Sequence, residues 1–283
     1  MPIPCRLNPF GITLKENLPL TFTAVEASTV KINATGSPTV AGLHYRLGTS
    51  GTWLPYTIGQ AIPLAAGGKV QFWNSAEMLS TSNANYCQFA MTGKIEGAGD
   101  IQSLLNGIKS VPDFSLYYLF YRCGALIQAP DFTGETLGSS CYSNCLRETG
   151  ITAMPKIAAK TPGTASMSTM FFRCYSLTGE VDLPIQGAAN NLYQSACQQT
   201  AITRVHVGLV SLGYYCLYSA FNLCASLSNI EVDFSSWGDA SAVNATTLWV
   251  SGVAAEGTFI KPAALPEEYG SNRIPEGWTV INK

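Results

Sequence analysis

The side chains of this chain best suited to covalent or metal chemistry belong to nine cysteines and two histidines. Cys141 and Cys145 stand at a CxxxC spacing, with no second cysteine pair and no histidine beside them. Structural zinc sites instead combine CxxC pairs with a second pair or with histidines. The sequence therefore predicts no metal site at this pair.

Three other cysteines, Cys123, Cys174 and Cys224, recur at intervals of 51 and 50 residues. A recurrence of this kind indicates a stacked, apolar lining of a repeat, and free cysteine is among the most buried residue types. We therefore expect buried free thiols at these positions. Cys5, close to the beginning of the chain, is the cysteine expected to be reactive.

A hydrolytic Ser-His-Asp or Cys-His site would have to use one of the two histidines, His44 or His206. His206 falls at an outward strand position, where we expect a surface residue rather than a general base. Motifs of serine hydrolases, nucleotide-binding loops and zinc proteases are absent from the sequence. The sequence predicts a protein that is not an enzyme, with no catalytic residue, no cofactor and no metal.

These residues are positioned by a repeat of about 25 residues. Its apolar anchors are Leu126, Ile151, Leu177, Ile202 and Leu227. Ten residues before each anchor stand Leu116, Cys141, Met167, Leu192 and Leu217, and six residues before stand Phe120, Cys145, Phe171, Ala196 and Phe221. A period of 20 to 29 residues with apolar anchors is typical of a leucine-rich-repeat solenoid.

Two unit types alternate along the repeat. The first, third and fifth copies carry a phenylalanine and a cysteine where the second and fourth carry smaller or polar residues, which gives a longer period of 50 or 51 residues. A tyrosine stands nine residues before the anchor in four copies: Tyr117, Tyr142, Tyr193 and Tyr218. We expect these tyrosines to pack between layers, with stacking on a carbohydrate as the alternative.

Each unit is expected to contain a short helical turn, as in residues 116–123, and a strand after the anchor. In that strand the third and fifth residues after the anchor point inward, and the second and fourth point outward. The outward positions form the candidate binding face: Asp182, Arg204, His206, Asn229 and Glu231. An exposed polar sheet without a ligand is the alternative interpretation.

Proline, glycine and other turn residues divide the chain into four segments. Residues 1–17, rich in proline, predict an extended arm. Residues 18–97 contain short alternating stretches bounded by turn residues, which predict an antiparallel β-sandwich. Residues 98–237 are the solenoid, with about five units and a partial first one, and residues 238–283 are expected to form an irregular cap. The fold class is thus mainly β with short helices.

Charged residues make up 12% of the chain, and its formal net charge is −2. No cluster of lysine and arginine suits nucleic acid, so we expect no nucleic-acid partner. No apolar run reaches the roughly 18–20 residues of a membrane span, and the first residues do not resemble a secretion signal. Low charge with abundant aromatic residues favours assembly, including a possible homo-oligomer.

Three features resemble BspA-type leucine-rich-repeat proteins, which occur in gut Bacteroidetes and in the phages that infect them. They are the segment GTWLPYTIG at 51–59, the repeats of the form L-Y-x-x-F-x-x-C-x-x-L, and the ending GTFIKP with IPEGWTV. The resemblance covers about residues 18–283. It implies a right-handed solenoid that bears adhesive surfaces, with the sandwich in front of it.

On this resemblance we expect a non-enzymatic structural or adhesion protein of a bacteriophage virion, in the head or the tail. It would be made in the host cytoplasm, bind other virion proteins through the arm and the sandwich, and attach to a host-surface protein or glycan. The alternative is a secreted adhesin at a bacterial cell surface.

Overall fold

The described part of the chain is built almost entirely from strands and turns. The computed structural model describes residues 18–38, 40–238, 242 and 244–283, so the expected arm at 1–17 and Cys5 lie outside it. Within these residues the protein is mainly β and contains a β-solenoid of about seven turns. One short 3-10 helix, Ile101–Leu105, is the helix of the described residues. None of their helices has the length and apolar character needed to cross a bilayer.

The first eight strands form two antiparallel sheets in front of the solenoid. They are β1 Leu20–Ala24, β2 Ser28–Thr35, β3 Leu43–Leu47, β4 Leu54–Pro55, β5 Ile62–Leu64, β6 Lys69–Asn74, β7 Tyr86–Thr92 and β8 Ile95–Ala98. One sheet has the order β8-β1-β6-β3-β4 and the other β5-β2-β7. Inward residues alternate with half-exposed ones along β1 and most of β2, and rings from the two sheets meet, with Phe22 and Phe89 at 5.1 Å between centroids.

The remaining strands belong to the solenoid. They are β9 Ser110–Val111, β10 Leu126–Gln128, β11 Thr136–Leu137, β12 Thr178–Leu183, β13 Ala201–Val207, β14 Asn229–Val232, β15 Thr258–Lys261 and β16 Thr279–Asn282. Strands β12 to β16 form one parallel five-stranded sheet in chain order. Strand β10 pairs in parallel with β8, so the first sheet has a sixth strand and continues into the solenoid.

The segment 238–283 is not the irregular cap that the sequence predicts. Strands β15 and β16 continue the parallel sheet, with Thr258 beside Asn229 and Thr279 beside Thr258. These steps are 29 and 21 residues long, whereas the step from Arg204 to Asn229 is 25. A search for a 25-residue period therefore misses two turns that the backbone nevertheless forms.

The repeat itself places the core as expected. All five anchors, from Leu126 to Leu227, are fully buried, and so are the residues ten and six positions before them, apart from a trace of exposure at Ala196. Tyr142 and Tyr193 are also fully buried, which confirms packing between layers for these two tyrosines. The N-terminal sheets share this core, because Phe89 stacks on Phe120 at 5.2 Å between centroids.

The alternation of unit types has a hydrogen-bonding cause. Thr149 takes the place of cysteine in the second unit, and its hydroxyl donates to Leu146 O at 2.8 Å. Cys174 of the third unit donates its thiol to the same carbonyl at 3.0 Å. Thr200 and Cys224 share Cys197 O in the same way, at 2.9 and 3.0 Å. Cysteine and threonine therefore alternate because each pair satisfies one buried carbonyl.

The segments expected to be helical are successive tight turns instead. We call them together the turn ladder, which comprises residues 114–123, 140–149, 165–174, 191–200, 215–224 and 244–251. Within it, alternate backbone N–H groups have different partners: Leu116 N donates to Cys141 O in the next turn of the solenoid at 3.1 Å, and Tyr117 N donates to Phe114 O at 3.0 Å. Half of the donors thus join neighbouring layers, which an α-helix does not allow.

The spacing of the apolar residues predicts a helix where the chain forms tight turns, and there is a physical reason for this error. Residues three and four apart share one side both in a helix and in these turns, so the pattern of buried residues is the same. The backbone differs, because every fourth residue has a positive φ, as at Phe114 (56°), Tyr118 (58°) and Arg122 (60°). Such angles are uncommon outside glycine, asparagine and aspartate.

Replacement of Thr169 by asparagine should stabilise the protein. Thr169 has a φ of 53°, and a β-branched residue is strained there, whereas asparagine tolerates this region. We expect the free energy of unfolding in urea to rise by about 0.5–1 kcal/mol. Thr178→Asn, at an exposed strand position, is the control and should not stabilise. An equal loss of stability in both variants would contradict backbone strain at Thr169.

Candidate functional site

The five residues of the predicted binding face lie on one side of three neighbouring strands. Arg204 pairs in register with Asn229, and His206 lies between Asp182 and Glu231. The parallel sheet brings them together because residues 24 or 25 positions apart in the chain become neighbours across adjacent strands. Whether this face binds anything stays a prediction, but its residues do meet.

The side chains point outward because their strand neighbours fill the core. The inward residues of the three strands are all fully buried: Val181, Leu183, Val205, Val207, Ile230 and Val232. A period of two then leaves the alternate side chains on the opposite face. The predicted direction of the third and fifth residues after Ile202 and Leu227 is thereby confirmed.

His206 lies at the centre of a network of charged side chains. Its Nδ1 is 2.9 Å from Asp182 Oδ1, and its Nε2 is 3.1 Å from Asp233 Oδ2. The side chain keeps 31% of its accessible surface. His206 is therefore not the freely solvated residue that the sequence suggests, since carboxylates hold both ring nitrogens.

The network continues through two cations. Lys283 Nζ donates to Asp233 Oδ1 at 2.5 Å and to Glu231 Oε1 at 2.9 Å. Arg204 then contacts Glu231 Oε2 at 3.3 Å and Glu180 Oε1 at 3.4 Å. Acidic and basic groups thus alternate across three strands, β12 to β14, and the residues that follow β14 and β16.

Ionisation within the network reflects these contacts. Hydrogen bonding to Lys283 is the main reason why the pKa of Glu231 lies below its ordinary value. Partial burial opposes ionisation of Asp233, but hydrogen bonds from Lys283 and His206 outweigh it and lower the pKa of that carboxyl. The same two carboxylates raise the pKa of Lys283 despite its partial burial. At neutral pH Glu231 and Asp233 are therefore in their charged form.

Asn229 is the one predicted residue that does not join the network. Its side-chain oxygen is shielded from solvent and accepts no hydrogen bond from the described residues. The sequence pattern, in turn, does not reveal Glu180, Asp233 or Lys283. A register shift between Gly179 and Glu180 obscures the first, and Lys283 comes from a turn whose spacing departs from the repeat.

The cysteines of the described residues make no second site. All eight described cysteines are free and buried, which confirms the expectation for Cys123, Cys174 and Cys224. Burial raises the thiol pKa to about 12 for Cys123 and about 11 for Cys174. Because the thiolate is the reactive form, these thiols are inert in the folded protein.

A second polar surface lies on the outside of the turn ladder. The guanidinium of Arg147 lies between two rings, 5.3 Å from the centroid of Tyr121 and 4.7 Å from that of Phe172. Glu148 accepts from Arg122 Nε at 3.0 Å and from Arg147 Nε at 3.2 Å. Burial opposes ionisation of Glu148, but the two arginines outweigh it and lower its pKa.

A shallow cleft of about 320 Å³ opens beside these arginines. Its lining is formed by Gly124, Glu148, Thr149, Arg173, Tyr175 and Ser176. Tyr175 is 65% exposed, and Arg173 Nε donates to the neutral Gln199 side chain at 2.8 Å. An exposed ring beside a guanidinium provides a stacking surface and hydrogen-bond donors.

Searches with protein-family models, among curated proteins and among solved structures find no match to this chain. The function is therefore argued from the two surfaces themselves. Of these, the outward face of β12 to β14 combines the most charged groups in contact, and it is the principal candidate site.

The thiols should resist labelling in the native state. With Ellman's reagent at pH 8, we expect at most one of the nine cysteines to react in the folded protein and all nine to react in denaturant. Cys5 is the residue allowed to react, so Cys5→Ser should remove the native signal. Two or more rapidly reacting thiols would contradict the burial of the described cysteines.

Glu148→Gln should destabilise the protein at neutral pH but not in acid. A carboxyl whose pKa is lowered in the folded state stabilises above its unfolded value of about 4.5, and this contribution is lost as the pH falls through the folded value. For this partly exposed pair we expect a loss of roughly 0.5 kcal/mol at pH 7 that shrinks towards pH 3.

Urea titrations at the two pH values measure this difference. Glu256→Gln, an exposed glutamate at a distance in the chain, reports the effect of the substitution itself. A Glu148→Gln loss of equal size at pH 7 and pH 3 would show that the carboxylate charge is not its cause.

Proposed function

We propose that this protein is a non-enzymatic structural or adhesion component of a bacteriophage virion, which displays its solenoid for attachment to a host-surface protein or glycan. The observation that carries the proposal is the outward face of β12 to β14, where charged side chains from successive turns meet on a rigid sheet. Exposed charged groups on a fixed scaffold suit recognition of a polar partner.

The proposal includes the finer architecture. We take the two N-terminal sheets as a β-sandwich and the solenoid as a right-handed leucine-rich-repeat solenoid of the BspA type. The 25-residue repeat, its buried anchors and the parallel sheet support this assignment. The turn ladder replaces the expected short helices, so the family resemblance rests on the anchors and on the F-x-x-C spacing.

Binding accounts for the face better than catalysis does. A general base needs a ring nitrogen that is free to take a proton from a nucleophile or from water. Both nitrogens of His206 face carboxylates, Asp182 on one side and Asp233 on the other. The hydrogen bonds of His206 among the described residues involve no serine, threonine or cysteine that could act as the nucleophile.

Within the particle, the arm at 1–17 and the N-terminal sheets would contact other virion proteins. The proposed site of assembly is the host cytoplasm, and the proposed location is the head or the tail of the virion. A bacterial cell-surface adhesin is the alternative setting, in which the same outward face would bind a host partner.

The proposal for the face is tested by binding to a glycan array and to immobilised envelope of the host bacterium. Arg204→Ala removes the link between Glu180 and Glu231 and should weaken the binding roughly tenfold or more. Lys160→Ala breaks an exposed ion pair with Glu135 outside the parallel sheet and is the matched control. Equal losses in both variants, or cleavage of a bound oligosaccharide, would contradict the proposal.

The proposed role of the arm is tested separately. Deletion of residues 1–17 should leave the fold intact, as judged by circular dichroism, but abolish incorporation into phage particles. Normal incorporation of the shortened chain would refute anchoring by the arm.

A further inference from the structure

Three side chains of the outward face place atoms that could bind a metal ion close together. His206, Glu231 and Asp233 each present a ligand atom, and these atoms lie within 4.8 Å of one another. All three side chains are half-buried, so they are partly ordered and yet reachable from solvent. Strand β13 supplies the first, strand β14 the second, and the residue directly after β14 the third.

The contacts of the imidazole require a cation. A neutral imidazole carries one N–H and can satisfy only one of two carboxylates. Asp182 lies 2.9 Å from Nδ1 and Asp233 lies 3.1 Å from Nε2, so with the proton on Nδ1 the lone pair of Nε2 would face a carboxylate oxygen. A metal ion bound to Nε2 would remove this repulsion.

The charge of the network points in the same direction. Glu180, Asp182, Glu231 and Asp233 supply four carboxylates, against the permanent cations of Arg204 and Lys283. Two negative charges remain with His206 neutral. A divalent cation that takes the place of the Lys283 ammonium would reduce the net negative charge of the network to one.

We propose that the outward face binds a zinc ion through His206 Nε2, Glu231 and Asp233, and that the ammonium group of Lys283 leaves its place between the two carboxylates when zinc binds. Lys283 Nζ lies 2.9 Å from Glu231 and 2.5 Å from Asp233, where it neutralises the carboxylates that would bind the metal. The site is thus closed by a displaceable cation.

The ligand types and one distance fit this ion. Zinc–ligand bonds of about 2.0–2.2 Å place neighbouring ligand atoms of a tetrahedron roughly 3.3–3.6 Å apart, near the 3.1 Å between His206 Nε2 and Asp233 Oδ2. Imidazole with carboxylates suits zinc, whereas calcium and magnesium prefer oxygen ligands alone. A water molecule would complete the coordination.

Asp182 would act from outside the ligand set. It accepts from Nδ1 of His206 and so fixes the tautomer that leaves Nε2 as the ligand, in the arrangement of metal-bound histidines held by a carboxylate. Zinc would then join β13 to β14 at the centre of the face. This inference does not depend on what the face attaches to.

The test is calorimetric titration of the chain with zinc chloride at pH 7.5, with Cys5 replaced by serine because a thiol competes for zinc. We expect one saturable site. Lys283→Met should tighten binding roughly tenfold by removing the competing charge. His206→Gln should abolish it, and Asp182→Asn should weaken it by about 10- to 100-fold.

Glu180→Gln is the matched control, because it removes one negative charge from the same face without removing a ligand. We expect the affinity of this variant for zinc to stay within about twofold of that of the parent. A loss of affinity equal to that of His206→Gln would show that zinc is held by the overall negative charge and not by specific ligands. The absence of binding in both the parent and Lys283→Met would overturn the proposal. These outcomes do not bear on glycan or host binding.

Discussion

The backbone hydrogen bonds between layers of the turn ladder are the interaction on which the rest of the structure depends. Buried N–H and C=O groups must be paired, and in each layer alternate N–H groups reach the next turn, as Phe120 N reaches Cys145 O at 2.8 Å. This pairing requires a positive φ at every fourth residue. The chain accepts that strain at residues such as Thr169 because the alternative is an unpaired polar group in the core.

The same bonds give the solenoid a direction, and both of its ends need partners. Within the turn ladder the inter-layer donors point towards the C-terminal end, so the first layer of the ladder presents carbonyl groups that need donors from outside it. Ser80 N and Phe89 N of the N-terminal sheets bind two of these, Ser115 O and Leu119 O. At the other end, the side-chain oxygen of Asn272 accepts a hydrogen bond from Leu248 N at 2.8 Å. The N-terminal sheets therefore help to stabilise the solenoid, because they pair the carbonyl groups of its first layer.

The sequence revealed the parts that depend on side-chain periodicity. The buried anchors and the outward positions of β13 and β14 follow from a fixed repeat and a strand period of two. It could not distinguish a helix from the turn ladder, because both bury residues three and four apart. It also missed Asp233, which follows the last residue of β14, and Lys283, which reaches the face from a turn with a different spacing. Those contacts exist only in the folded chain.

The interior is stable without the charged side chains of the outward face, so their concentration on that face needs a separate explanation. Backbone bonds and the apolar core hold the layers together, so the fold does not require Glu180, Asp182, Glu231 and Asp233 to meet. The acidic residues of β12 and β14 lie on either side of Arg204 and His206 of β13, and the two fixed cations, Arg204 and Lys283, offset only two of the four carboxylate charges. The negative charge that remains around His206 is the charge that the proposed zinc ion would offset.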